Sequence, residues 1–161
     1  GRAPELDRPL DHGAEIDLHE PALIPEDYIP DVHTRLILYK RIASAEDGNS
    51  LHELKVEMID RFGLLPDATQ ALFDITAIKL KATRIGIKKV DLGASGGRLV
   101  FTDKPDIDPV RIITLIQTQP KRLRLDGQDK LRITEELTTL QARVAALAGL
   151  LDNLGERNEA A

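Results

Sequence analysis

The sequence predicts an α+β fold, with helices packed on a small antiparallel sheet built from hairpins and with a C-terminal helix. Two observations support this class. Apolar residues recur at helical spacing over much of 32–85 and again over 134–154. Between these segments lie two stretches that flank glycine-containing turns, GASGG and DG, and strands that pair locally as hairpins form antiparallel sheets.

The first helix follows a segment with two prolines, IPEDYIP at 24–30, which we call the strap. Pro25 and Pro30 restrict their own backbone and disfavour helix in the residues before them, so we expect no helix before Asp31. Asp31 is suited to cap the helix that follows. The predicted buried stripe of this helix is Val32, Leu36, Tyr39 and Ala43.

The second helix is predicted from Ser50 and Glu53, which have the spacing of a capping box, to Gly63, which favours a left-handed turn. Its predicted buried stripe is Leu51, Leu54, Met58, Ile59 and Phe62. The spacing of the charged residues places them together on the opposite, exposed face: Glu53, Glu57, Asp60 and Arg61.

The remaining elements follow from local signals. A third helix begins near Pro66 and closes at Gly86, and hairpin strands IKKVDL and RLVF flank GASGG. Asp108-Pro109 starts a short helix through Ile116, and a second hairpin turns at Asp126-Gly127. The last helix is predicted to start at 134–136, with these residues inward: Leu137, Leu140, Val144, Leu147, Leu151 and Leu154.

The 161 residues, 42% hydrophobic, suit one compact domain, which we place at 21–154. Residues 1–20 read as a flexible acidic lead-in or linker in which Ile16 and Leu18 could add an edge strand, and 155–161 as a frayed polar tail. The start at Gly1 suggests a piece of a longer protein. No apolar run is long enough to cross a membrane and no export leader is evident, which fits the cytoplasm.

No motif predicts catalysis or a bound cofactor or metal. Cysteine is absent, and GASGG is followed by a strand, whereas a phosphate loop needs a helix there. The four histidines are scattered, and adjacent acids near helix starts usually favour the helix dipole and solubility. We therefore expect no enzyme activity from this chain.

Charge is unevenly distributed, although the net charge is −5. Residues 1–31 hold nine acids against two bases, and 79–124 hold eleven bases against four acids. Such asymmetry can mark a partner of opposite charge, or only two solvated faces. A candidate basic patch for DNA or RNA polymerase comprises Lys88, Lys89, Lys121, Arg122 and Arg124.

Several stretches in order resemble one family. They are Ile24-Pro25, Tyr28-Ile29-Pro30-Asp31, Arg35-Leu36, Tyr39-Lys40-Arg41-Ile42, Ile59-Asp60-Arg61-Phe62-Gly63 with Pro66, and RLRLDG at 122–127. Over about 16–154 the sequence resembles the C-terminal domain of the bacterial transcription-repair coupling factors, the Mfd family.

The resemblance implies a regulatory role in the bacterial cytoplasm. Members of the family are ATP-driven DNA translocases that remove stalled RNA polymerase and recruit the repair protein UvrA. Their motor lobes, which precede this domain, use ATP and Mg²⁺. The last domain docks on the UvrA-binding module of the same protein, masks the UvrA surface and restrains the motor.

In the family, the docking side chains lie in an E-x-x-D-R-F-G pattern, which places them at Glu57, Asp60 and Arg61 here. The exposed face predicted above contains these three residues and Glu53. The strap residues Pro25, Tyr28 and Pro30 would stiffen the connection to the preceding part of the protein and position the first helix, with Leu36 and Tyr39 beneath the docking helix.

Overall fold

The computed structural model describes residues 13–156, and the α+β class is confirmed. The helices in this range are α1 (Val32–Ala43), α2 (Gly48–Phe62), α3 (Asp67–Ile85), α4 (Pro109–Thr118) and α5 (Leu140–Gly155). The strands are β1 (Glu15–Asp17), β2 (Ile87–Gly93), β3 (Gly96–Phe101), β4 (Leu123–Asp126) and β5 (Lys130–Ile133). Predictions for 1–12 and 157–161 lie outside the described residues.

The five strands form one mixed sheet in the order β1-β2-β3-β5-β4. Both predicted hairpins are confirmed, since β2 pairs with β3 and β4 with β5 in antiparallel fashion. β1 pairs with β2 at the edge of the sheet, so the edge strand predicted around Ile16 is confirmed, but this pairing is parallel and the sheet is therefore not purely antiparallel as predicted. β1 contains Ile16 and directly precedes Leu18, so residues 15–17 of the predicted flexible lead-in form a paired strand.

The chain divides into two compact units, with the division inside α3 between Leu80 and Lys81. The first comprises Glu20–Leu80 and holds α1 and α2. Its core is formed by the strap, both helices and α3, through Ile24, Ile29, Leu38, Ile42, Leu51, Leu54, Met58 and Phe73.

The second unit comprises Ala14–His19 and the chain from Lys81 onward, and it contains the whole sheet with α4 and α5. Alternate strand residues are buried together with the apolar side of α5, among them Val90, Leu92, Leu99, Leu131, Leu147 and Leu151. The predicted boundaries at residues 20 and 154 stay predictions.

The buried side of α1 differs from the predicted stripe. Val32 and Leu36 are 58% and 61% exposed, whereas Leu38 and Ile42 are almost completely buried in the first core. Residues 36–39 are all apolar or aromatic, so periodicity alone left the orientation of the helix undetermined. In the structure, packing against α2 buries the side of α1 that carries Leu38.

Two helix starts also differ. Asp47 caps α2 by accepting a hydrogen bond from the Ser50 amide at 2.8 Å, so Ser50 lies inside the helix instead of capping it. α5 begins at Leu140 after the cap Thr139, later than the predicted 134–136. The delay arises because the Leu137 amide bonds to the carbonyl oxygen of Ala94, 2.7 Å away, which places Leu137 in the core outside any helix.

Candidate docking face on the second helix

The four charged residues predicted on the outer side of α2 lie there in the structure. Glu53, Asp60 and Arg61 are exposed, and Glu57 is partly exposed. Gly63, with φ of +96°, ends the helix as predicted and fixes where the face stops. We call Glu53, Glu57, Asp60 and Arg61 the docking face.

Glu57 is held between two arginines. Arg41 of α1 donates two parallel hydrogen bonds to its carboxylate, at 2.8 and 2.9 Å, and Arg61 donates a third at 3.3 Å. The hydrogen bonds from Arg41, with a smaller effect from Arg61, lower the pKa of the Glu57 carboxyl from its ordinary 4.5 to about 2. Glu57 therefore stays ionised and serves chiefly to orient Arg41 and Arg61.

Arg61 is fixed by an aromatic contact as well. Its guanidinium lies 4.7 Å from the centre of the Phe62 ring. Phe62 in turn packs edge-to-face with Tyr28, with 6.1 Å between the ring centres. The strap thus supports the end of α2 that presents Arg61.

The strap is tied to both helices by hydrogen bonds. The Tyr28 hydroxyl donates to the carbonyl oxygen of Gly63 at 2.8 Å, just past the end of α2. Arg35 of α1 donates to the carbonyl oxygens of Ile29 and Pro30 at 2.7 and 3.0 Å. The Ile24 amide also donates to the hydroxyl oxygen of Tyr39 at 2.7 Å, so Tyr28, Arg35 and Tyr39 together anchor the segment that the prolines predicted to be stiff.

Two carboxylates of the docking face remain available to a partner. Within residues 13–156, Glu53 and Asp60 form no salt bridge, whereas Glu57 is fully engaged. An open depression of about 400 Å³ lies between α1 and α2 beside Glu53 and Glu57. Asp60, Glu53 and the unused donors of Arg61 therefore form the part of the face that can make new contacts.

The candidate basic patch is distributed over several elements. Lys88 is the extra residue of a β-bulge in β2, Lys89 lies on β2, and Arg124 lies on β4, with β3 and β5 between them. Arg122 is engaged by Glu135 at 2.5 Å and by Gln119 at 2.6 Å. The structure does not bring Lys88, Lys89 and Arg124 together as neighbours.

One cluster escaped sequence reasoning. His19 Nε2 lies 2.6 Å from a carboxylate oxygen of Asp91, and the cluster of Asp17, His19 and Asp91 brings potential metal-ligand atoms within 4.8 Å of one another. The hydrogen bond to Asp91, then the charge of Asp17, raises the pKa of His19 and favours the protonated ring, which does not bind metals. Spacing gave no signal, because the β1–β2 pairing creates the cluster.

Among the described helices, none is both long and apolar enough to cross a membrane. What the fold presents is a charged helix face, held by an arginine–carboxylate network and an aromatic contact. This arrangement defines an α+β domain with an organised charged helix face.

The family follows from comparison with known proteins. The TRCF domain matches residues 18–112, more than half of the chain, and the chain belongs to this family. It is similar to the transcription-repair-coupling factors of Escherichia coli K12 (42% identical over 97% of this chain and 14% of the relative) and Haemophilus influenzae (43% over 94% and 13%). The chain therefore spans about a seventh of those relatives, and the resemblance seen in the sequence is confirmed.

The fold is also similar to a solved structure described as the C-terminal domain of transcription-repair coupling factor. The TM-score is 0.76, with 88% of this chain and 91% of the other covered at 21% identity. This likeness supports the order of elements described above.

Proposed function

We propose that this chain is the C-terminal regulatory domain of a transcription-repair coupling factor and acts as an autoinhibitory clamp. It docks through the α2 face on the UvrA-binding module of the same protein. Docking masks the surface that recruits UvrA and restrains the DNA translocase motor. The observation that supports this best is the exposed docking face, which lies on the E-x-x-D-R-F-G helix of a TRCF family member.

The geometry suits a reversible clamp. Arg41 and Glu57 lock α1 to α2, so the face is organised before a partner arrives. Asp60, Glu53 and Arg61 then supply charged contacts, which give specificity with modest net affinity. A closed state favoured by only a few kcal/mol can be opened by a partner such as RNA polymerase.

The chemistry of repair belongs elsewhere in the parent protein. ATP and Mg²⁺ serve the motor lobes, and this domain contributes no catalytic group. UvrA, RNA polymerase and DNA are partners of the whole protein in the bacterial cytoplasm.

The test is calorimetric titration of this chain with the separately expressed UvrA-binding module, in low and moderate salt. Asp60→Lys is the sharpest variant, because Asp60 takes no part in the Arg41–Glu57 pair and the fold should be retained. The double variant Glu57→Lys/Asp60→Lys should also lose binding but additionally breaks that pair. Glu46→Lys, an exposed reversal outside the face, is the matched control.

Salt-sensitive binding that Asp60→Lys abolishes and Glu46→Lys retains would support the clamp, with folding checked by circular dichroism. If Asp60→Lys binds as tightly as the wild type, the docking face does not form the interface. If the separate pieces do not bind, the same variants are compared in the full-length protein, where the tether raises the effective concentration. UvrA binding unchanged there by Asp60→Lys would refute the proposal.

The strap is tested separately. Replacing Pro25 and Pro30 by alanine should weaken docking in the full-length protein while the isolated chain still folds. If the isolated chain with both alanine replacements does not fold, the strap contributes to stability and has no separate role in docking.

The alternative is a module that contacts DNA or RNA polymerase through the basic region 79–124. Charge reversal at Lys88, Lys89 and Arg124 distinguishes it, since these changes should leave docking of the α2 face intact.

A further inference from the structure

Five charged residues lie in one row across the sheet, one on each strand. The strand registers place Asp17 opposite Asp91, Asp91 opposite Arg98, Arg98 opposite Arg132, and Arg132 opposite Arg124. Side chains at directly paired positions share a face of the sheet, and the neighbouring Leu92, Leu99 and Leu131 fill the core on the other face. We call Arg98, Arg132 and Arg124 the arginine row.

The arginine row is poorly neutralised by the protein itself. All three residues are exposed, and like charges directly opposite on paired strands are unfavourable. Arg132 has one carboxylate contact, with Asp126 at 3.3 Å, whereas Arg98 and Arg124 have no salt bridge within residues 13–156. Arg98 lies opposite Asp91, but the carboxylate of Asp91 is held by His19.

Open space adjoins two of these arginines. A shallow depression of about 360 Å³ is lined by Arg98 and Arg132 together with Ser95 and Thr134, and also by Asp91, whose carboxylate is held by His19. Gly96 borders it with φ of +112°, and a Cβ there would lie 2.3 Å from a carbonyl oxygen of Ile133, so this position must stay without a side chain. Two guanidiniums beside two hydroxyls suit a phosphate oxygen.

We propose that the arginine row binds the sugar–phosphate backbone of duplex DNA. Neighbouring strands are about 4.8 Å apart, so three arginines extend over about 10 Å and can contact two or three phosphates. Such contacts are independent of base sequence. The acidic end of the row, at Asp17 and Asp91, confines the contact to the β3–β5–β4 side.

The surroundings favour duplex DNA over other polyanions. The only Phe, Tyr or Trp of the second unit, Phe101, is buried, so none of these rings is available to stack on the bases of a single strand, and the exposed His19 ring is held by Asp91. Phosphate contacts alone are sufficient for non-specific duplex binding.

The test is fluorescence anisotropy of a short labelled duplex titrated with this chain, from about 50 to about 200 mM salt. The variant is Arg98→Ala/Arg132→Ala. The matched control, Lys40→Ala/Lys55→Ala, removes the same charge from the first unit. Circular dichroism confirms folding of both, and a single strand and inorganic phosphate serve as competitors.

With three phosphate contacts, log K should fall with log salt at a slope of about −2.7 for the wild type, and the variant should lose about two-thirds of that slope. We expect the variant to bind at least tenfold more weakly in low salt, while the lysine control changes little. Equal loss in both double variants, no salt-dependent binding by the wild type, or competition by the single strand as strong as by the duplex would each overturn the proposal.

This inference is independent of the clamp. Asp60→Lys should bind the duplex as the wild type does, and Arg98→Ala/Arg132→Ala should dock normally on the UvrA-binding module. Failure of one proposal is therefore distinguishable from failure of the other.

Discussion

Replacement of the buried Arg143 should be among the most damaging single changes in the second unit. Arg143 of α5 is only 4% exposed, and its guanidinium donates to the carbonyl oxygens of Leu137 at 2.9 Å and Leu18 at 3.0 Å. It thereby connects α5 with the segment before it and with the residue that follows β1. Arg143→Met keeps much of the apolar bulk and removes every donor.

The magnitude follows from these contacts. Arg143 also donates to the carbonyl oxygen of Thr138 at 3.4 Å. The two shorter hydrogen bonds from this charged donor contribute about 3–6 kcal/mol in gross terms, and replacement of Arg143 removes the donor from both carbonyl groups. Removal of a buried charge offsets part of this loss. We therefore expect Arg143→Met to lower the free energy of unfolding by about 2–4 kcal/mol. Arg143→Lys should lose about half as much, because one ammonium group cannot serve both carbonyls in the same geometry.

Urea unfolding followed by circular dichroism measures the loss, which should lower the midpoint by about 1 M or more. Amide hydrogen exchange gives a local readout. Arg143→Met should accelerate the exchange of the β1 amides more than that of amides elsewhere in the sheet. A change below about 0.5 kcal/mol, the range of an ordinary surface substitution, would refute the reasoning. So would unchanged protection of β1.

Three further predictions concern the first unit. Leu38→Ala should cost about 2–5 kcal/mol in urea unfolding and Leu36→Ala less than about 0.5, and equal costs would contradict the observed orientation of α1. Tyr28→Phe, which removes one hydroxyl bond to the exposed Gly63, should cost about 0.5–1 kcal/mol, and wild-type stability would show that this bond contributes nothing. Because the folded-state pKa of Glu57 is depressed, its stabilising effect is present above about pH 4.5 and lost as pH falls towards 2. The stability difference between wild type and Glu57→Gln should therefore shrink over that window, and a difference independent of pH would refute the assignment.

Local signals in the sequence predicted much of the fold. The Asp31 cap, the Asp108-Pro109 helix start and the left-handed glycines at 63, 86 and 127 all depend on the backbone of a few adjacent residues. The two hairpins have the same origin. Helix caps and tight turns depend on only a few consecutive residues, so the types of those residues are sufficient to predict them.

Long-range features could not be predicted in this way. The orientation of α1 depends on packing against α2, and the parallel pairing of β1 depends on a strand far along the chain. Arg143 reads as a surface charge until its partners Leu137 and Leu18 are known. The arginine row needs the strand registers, because its members lie in three separate strands.

For the docking face, the sequence predicted the residues but not all of the contacts that hold them in place. Its helix spacing and family pattern predicted Glu57, Asp60 and Arg61. Neither predicted Arg41, which reaches Glu57 from a different helix, or the contribution of Tyr28 to the end of α2.

The parallel pairing of β1 has a consequence for how the chain acquires its structure. Glu15 pairs with Lys89, and closing a loop of that length costs about 4 kcal/mol of chain entropy before any contact compensates. During synthesis the segment at 14–19 emerges early but must wait for β2, so we expect it to join the sheet late. Until then the outer edge of β2 presents unpaired backbone groups that can recruit a strand from another molecule. A fragment designed to begin at residue 21 would keep that edge open permanently, which makes residues 14–19 a built-in guard against aggregation.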